Sequence, residues 1–304
     1  MRPGPDFDAA TRDQPQLRVG TSGWIYKEWA GVFYPEEMPK RGELEHYATQ
    51  FNTVEINATF YRLPLLSSTR GWHRRTPNSF VFAVKGSRFI THLKRLRVTA
   101  LSLRKFFERI RPLGRKCGPI LWQLPPNFAF ESKRLEIFLK KLPATRRHAV
   151  EFRHPSWYET PETFSLLAAY KAAHVAVSSL RMPMNFQVTT DFAYLRFHGL
   201  AGGPRHDYSQ SELEPWARHA AECLQRRCTV YAYFNNDLNT RAPWNAKMFK
   251  ELVQRKTSDF APGGWPSRRS HSLQSATSWG ARPREMHGRP GVSRRKTRST
   301  FSRP

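Results

Sequence analysis

The feature that most constrains this chain is an alternation. Eight short β-like runs recur between residues 17 and 255, and most are separated by stretches with a helical period. The runs are LRVGTSGW (17–24), TVEINATF (53–60), FVFAVKGS (80–87), GPILWQLP (118–125), HAVEFRHP (148–155), HVAVSSL (174–180), FAYLRFHG (192–199) and CTVYAYFNN (228–236). Between them lie ELEHYATQF, VTALSLRKFFERI, RLEIFLKKL, TFSLLAAYKAA, SELEPWARHAAECLQ and WNAKMFKELVQ. Leu135, Phe138, Leu139 and Leu142 follow the i, i+3, i+4, i+7 spacing of one apolar helix face. Ser209 with Glu212 three residues later suits a capping box. Strands joined by crossovers of a dozen residues or more pair in parallel, and eight such units predict an α/β (β/α)8 TIM-type barrel. The rival is an open doubly wound sheet. GTSG after the first run lacks both the G-x-G-x-x-G spacing and the immediate helix of a dinucleotide-binding turn. Only RMPMNFQVTTD separates the sixth and seventh runs, so the sixth unit is expected to be degenerate.

Parallel strands covered on both faces usually run continuously apolar, and several runs here depart from that rule near their C-terminal ends. Side chains alternate along a strand, so Val54 and Ile56 oppose Glu55 and Asn57, and Val150 and Phe152 oppose Glu151 and Arg153. Leu195 and Phe197 likewise oppose Arg196 and His198. Lys85 shares a face with Val81 and Ala83, and Gln123 lies opposite Trp122 and Leu124. The apolar set is expected to face the helices. The polar set then points along the barrel axis to the strand ends where barrel enzymes carry their sites. Buried charges of both signs are tolerable there if they compensate one another.

A chain of 304 residues fits one barrel domain, expected at 17–255, after a flexible segment at 1–16. From Lys256 onward there are eleven Lys/Arg against two Asp/Glu, with abundant Ser, Gly and Pro and few aliphatic residues. Residues 256–304 are therefore expected to form a disordered basic C-terminal tail. The formal charge of +26 favours acidic partners, and removing the tail still leaves the chain strongly basic. Three cysteines without a joining motif point to a reducing cytoplasm. MRPGPDFDAATRDQPQ has no apolar core for a secretory signal, and no long apolar run predicts a membrane span.

Read in order, GTSGW, YATQFNTVEINATFYRLP, FVFAVKGSRFITHLKRL, GPILWQLPPNF, AVEFRHPSWY, YLRFHG and VYAYFNND resemble the motifs of the YecE-like family, a bacterial domain of unknown function (DUF72). The resemblance covers about residues 18–254. It implies a TIM-type barrel and no established activity. Two features depart from the family pattern: Pro243 and Trp244 within TRAPWNAKMF, and the basic tail after Gln254.

The residues themselves suggest a pocket for a small anionic or nucleotide-like substrate. Lys85, Arg153 and Arg196 would hold the anion, since guanidinium groups grip phosphate or carboxylate bidentately. His198 would shuttle a proton, with Glu55 or Glu151 as base or orienter, giving hydrolase- or isomerase-type acid–base chemistry. Asn57, Gln123, Asn235 and Asn236 would add neutral hydrogen bonds, and Trp24 and Trp157 could stack on a ring. A glycosidase-like pairing of Glu55 with Glu151 is disfavoured, because the neighbouring cations would keep both ionised. No cofactor motif is present. His92, His154, His198 and the two glutamates could hold a divalent metal, but no H-x-x-x-H or H-E-x-x-H spacing supports it, and histidines bound to loops or substrate are the favoured reading. The alternative role is nucleic-acid binding through the basic runs RFITHLKRLR (88–97) and SRRKTR (293–298).

Overall fold

The computed structural model describes residues 15–259. Its eight strands are β1 (Leu17–Thr21), β2 (Thr53–Ile56), β3 (Val81–Lys85), β4 (Cys117–Gln123), β5 (His148–Glu151), β6 (Ala172–Ser178), β7 (Phe192–Phe197) and β8 (Thr229–Phe234). They hydrogen-bond in the order 1-8-7-6-5-4-3-2, every pair parallel. Around them run α1 (Glu43–Gln50), α2 (Ala58–Tyr61), α3 (Leu66–Arg74), α4 (Ala100–Ile110), α5 (Ser132–Lys140), α6 (Glu162–Ala169), α7 (Gln210–Gln225) and α8 (Arg241–Asp259). This is the expected TIM-type barrel.

The alternation read from the sequence sorts the core into two layers. Val54, Ile56, Phe82, Val84, Trp122, Val150, Leu195 and Phe197 point outward and pack with helix residues such as Leu103, Phe106, Leu135 and Phe138. Trp122 is typical: its ring lies 5.5 Å from Phe106 of α4 and 5.1 Å from Phe138 of α5. Such aromatic pairs each add about 0.5–1.5 kcal/mol beyond the area they bury. The opposite faces fill the barrel with Ala83, Leu121, Ala149, Val175, Val177, Tyr194, Tyr231 and Tyr233.

Closure between β1 and β2 is indirect. The Tyr47 hydroxyl enters the seam, accepting the Thr21 N–H at 2.8 Å and lying 3.1 Å from the Thr53 carbonyl, to which it donates. Gly20 makes this approach sterically feasible, since a Cβ there would stand 2.2 Å from the Thr53 carbonyl oxygen. At the upper end the strands meet directly in a bridge between Ser22 and Glu55.

Several boundaries differ from the sequence reading. No helix joins β6 to β7, so the sixth unit is degenerate as expected. The run 53–60 splits: β2 ends at Ile56 and α2 follows. TFSLLAAYKAA is helical only to Ala169; Lys171 then takes a left-handed conformation (φ 50°), and β6 begins at Ala172. The helix α3 was not expected. At the C-terminus α8 runs to Asp259, past residue 255, with Pro243 in its first turn, where a missing N–H breaks no intrahelical bond. The rest of the expected tail, 260–304, and residues 1–14 lie outside the described residues. No described helix is long and apolar enough to cross a membrane.

Candidate functional site

Inward-facing polar groups gather at the C-terminal ends of the strands. Ser22 follows β1, Glu55 ends the inner face of β2, and Lys85 and Gln123 end β3 and β4. Glu151 ends β5 with Arg153 two residues beyond, Arg196 lies on β7 with His198 just after it, and Asn235 follows β8. Parity alone decides this: each residue is an even number of steps from a side chain already inside the barrel.

Arg196 is the centre of the set. It is 1% exposed and lies between Glu55 and Glu151, both at 0%. Its Nη2 donates to Glu55 Oε1 at 2.7 Å and its Nη1 to Glu151 Oε2 at 2.5 Å. Glu55 also accepts from Ser22 Oγ at 2.8 Å and from the Tyr194 hydroxyl at 2.6 Å. Glu151 accepts from Arg153 Nε as well. All four carboxylate oxygens are thus engaged. Burial opposes ionisation of both glutamates, but Arg196, with Lys85 at Glu55 and Arg153 at Glu151, outweighs it and holds both below the usual carboxylate range, Glu151 far below. The buried Arg196 Nε finds no acceptor among the described residues.

Above this ionic floor lies a rim that is partly open. His198, with 13% of its side chain exposed, offers Nε2 to Arg153 Nη2 at 2.8 Å and Arg196 Nη1 at 3.2 Å. Both neighbours are donors, so Nε2 carries the lone pair and the ring is neutral. Burial and then Arg196 lower its pKa to about 4. Neutrality places the ring proton on Nδ1, which lies 3.2 Å from Asn235 Nδ2; turning that amide over would present its oxygen to the proton. Arg153 is 22% exposed, and its Nη1 makes no hydrogen bond among the described residues. Lys85 is half-buried, with Nζ 4.3 Å from the centre of the Phe60 ring. Burial and the proximity of Arg196 bring its pKa down to about 8. Asn57 donates to the Ser22 carbonyl at 3.1 Å, while its buried side-chain oxygen meets no donor among the described residues. Gln123 is half-buried at the same level.

Three residues singled out from the sequence lie elsewhere. Asn236 is one step out of phase with the inner face. It donates instead to the His206 carbonyl at 2.8 Å and to Asn245 Oδ1 at 2.6 Å. Trp157 is fully buried, stacked on Phe152 at 4.5 Å, with its indole N–H on the Phe128 carbonyl at 2.7 Å. Trp24 is buried edge-on against Trp72. Neither ring is available to a ligand.

Sequence reasoning passed over Tyr194, which joins the cluster, and a buried acid nearby in the chain, Asp237. Tyr194 sits two residues before Arg196, and the same alternation would have found it. Asp237 follows the Asn235–Asn236 pair; it accepts from Trp29 Nε1 at 3.0 Å, while its buried Oδ2 has no partner among the described residues. Burial pushes its pKa up to about 7 despite the hydrogen bond from Trp29. A lone acid in a polar loop carries no periodic signal.

Among the described residues no group of three or more His, Cys, Asp or Glu converges as a metal site would require. His154 turns to Ser156 at 2.8 Å. A cavity of about 910 Å³ opens at the other end of the barrel, lined by Arg18, Arg115, Arg146 and Arg147 among others. It is separate from the ionic cluster.

This chain is similar to the UPF0759 protein YunF of Bacillus subtilis (strain 168), with 26% identity over 81% of this chain and 98% of that protein. It is 32% identical to the UPF0759 protein YecE of Escherichia coli (strain K12) over 48% of this chain and 52% of YecE. A DUF72 family protein (TM1631) from Thermotoga maritima superposes with a TM-score of 0.72 at 31% identity, covering 79% of this chain and 99% of that one. A second such protein (EF0366), from Enterococcus faecalis, gives 0.67 at 20% identity, covering 80% of this chain and 99% of that one, and shows the shared fold. The family model covers residues 18–269, so the first part of the basic extension has a counterpart in the family pattern after all. With most of its length matched by that model, the chain belongs to DUF72, a family described as of unknown function.

Proposed function

We propose that the chain is an enzyme acting on a small anionic substrate at the C-terminal mouth of the barrel, by proton transfer of isomerase or hydrolase type. One observation carries this reading. The carboxylates of the cluster are saturated, while Lys85 Nζ and Arg153 Nη1 hold positive charge at the partly open rim without an acceptor among the described residues. A ligand with a carboxylate or phosphate supplies the missing acceptors. Asn57, Gln123 and Asn235 fix its neutral groups.

Glu55 and Glu151 serve in this scheme as positioning residues. Glu55 anchors Arg196, and Glu151 anchors both arginines and stands 3.5 Å from His198 Nε2, where it would stabilise an imidazolium. The His198 lone pair is shared by Arg153 at 2.8 Å and Arg196 at 3.2 Å. An anion that draws Arg153 toward itself leaves only the longer Arg196 contact, so the base becomes more available when substrate arrives. Calorimetric titration with phosphate and with oxalate tests the site. Binding that weakens at least about tenfold in both Lys85→Met and Arg153→Met is expected, a loss of about 1.4 kcal/mol; unchanged affinity in both variants removes these residues from the site.

A second reading is favoured by the loop after β3. Arg88, Phe89, Lys94 and Arg97 are exposed there, with Phe89 at 42% and Lys94 Nζ 5.6 Å from its ring. A basic loop carrying an open aromatic ring suits a nucleic-acid strand as the anionic ligand. The other basic run, 293–298, lies outside the described residues. Under this reading, oligonucleotide affinity falls steeply with salt, and Phe89→Ala costs about 1–3 kcal/mol of binding. No retention of single strands at low salt rejects it.

A further inference from the structure

We propose that Lys85 is a nucleophile that forms an imine with an aldehyde or ketone group on the anionic substrate. This rests on the reading of the barrel mouth as an anion site and adds a substrate class to it, carbonyl-bearing acids or phosphates.

Two lysines of the fold contrast sharply in their surroundings. Lys116 is buried and behaves as a structural cation should, donating to the His73 carbonyl and the Thr76 carbonyl, each at 2.6 Å, and to Thr76 Oγ1 at 3.2 Å. Its three donors are filled. Lys85 fills none among the described residues: its ammonium meets only the face of Phe60. Its neighbouring carboxylates are already taken up by Arg196, Arg153, Tyr194 and Ser22. A lysine on a rigid strand, half-buried and near two guanidinium groups, is shifted toward the neutral amine, the form that attacks carbonyl carbon. A lowered pKa of about 8 agrees with that placement.

The surroundings also serve the later steps. The amine nitrogen adds to the carbonyl carbon, a proton leaves nitrogen and one reaches oxygen, giving a carbinolamine. Loss of its hydroxyl as water completes the C=N bond, so no external oxidant or reductant is needed. His92 packs edge-on against the same Phe60 ring, with centroids 4.9 Å apart. Its Nδ1 is held by Thr91 Oγ1 at 2.9 Å. Burial and the charge of Lys85 lower its pKa, keeping the ring neutral and fit to relay these protons. The segment carrying it, Phe89–Leu93, is a π-helical turn, a geometry that recurs at functional sites.

The test is reductive trapping on the full chain. Protein is incubated with glyoxylate, which carries both a carboxylate and an aldehyde, in the presence of cyanoborohydride. Labelled lysines are then located by peptide mass spectrometry. Near pH 7.5, Lys85 is expected to be trapped at least ~10-fold faster than any exposed lysine, because its free-amine fraction is larger. The Lys85→Arg protein, with its melting transition checked, is expected to lose that label alone. Labelling spread evenly over surface lysines overturns the proposal. Oxalate, which has no aldehyde or ketone, separates the two ideas. Suppression of Lys85 labelling by oxalate supports both. Oxalate binding that depends on Lys85, without trapping, overturns the imine and leaves the anion site standing. Trapping that oxalate cannot suppress supports the imine and overturns the anion reading.

Discussion

Arg196 is the residue on which the cluster depends. Removing it leaves Glu55 and Glu151 buried with no shared counter-charge, and breaking a buried ion pair costs about 3–5 kcal/mol. Arg196→Met is therefore expected to lower stability by at least that amount in urea unfolding, and by more than Glu55→Gln, which leaves the second carboxylate in place. Equal, small losses in both would contradict the bridging role. Lys85 behaves in the opposite sense. Its folded pKa lies near 8 against an ordinary 10.5, so the unfolded chain binds more protons between those values and stability rises with pH across that window. Below pH 8 the buried ammonium is a full liability, and Lys85→Met is expected to be more stable than the parent by on the order of 2 kcal/mol at pH 7. That gap closes toward pH 10.5. A variant less stable at pH 7 would show that the ammonium is satisfied in the folded chain. At this scale much of the site was legible, because Glu151 with Arg153 and Arg196 with His198 alternate against apolar neighbours. Asn236 was misjudged because the period of two, which still holds just past β8, puts it out of phase with the inner face, and Trp157 because it lies in the turn Pro155–Trp157, where that period no longer says where a side chain points.

At the level of elements, the seam between β1 and β2 is where the barrel is least secured by its own ladder. Tyr47→Phe removes the hydroxyl that satisfies both Thr21 and Thr53, at an expected cost of about 1–3 kcal/mol. Gly20→Ala forces a methyl group against the Thr53 backbone and is expected to cost more than Tyr47→Phe. Denaturant midpoints check both; a Gly20→Ala midpoint equal to the parent's would mean that the seam is loosely packed. All eight strands were visible in the sequence, since each holds a β-branched or aromatic run and most have breakers at their ends. The helix α3 was not: LSSTRGWHR has a glycine and few aliphatic residues, and it forms because tertiary packing overrides weak propensity. The start of β6 was hidden as well, because YKAA continues the helical composition of α6 while Lys171 turns left-handed.

For the whole molecule, acid sensitivity follows from groups held in their unprotonated forms. Burial lowers His148, His174 and His198 to about 4, so the unfolded chain takes up more protons than the folded one between pH 4 and 6.5. Glu55 and Glu151 extend the loss below pH 4.5. The melting temperature is expected to fall steadily from pH 6.5 downward, and a flat profile to pH 4 would contradict these environments. In the proposed function the C-terminal mouth, and not the arginine-lined cavity at the other end, receives the anion. A crystal structure of the full chain grown with oxalate tests it most directly. The anion is expected within about 2.7–3.2 Å of Lys85 Nζ and an Arg153 nitrogen; an anion bound at Arg18 and Arg146, with the mouth unoccupied, would overturn the proposed site.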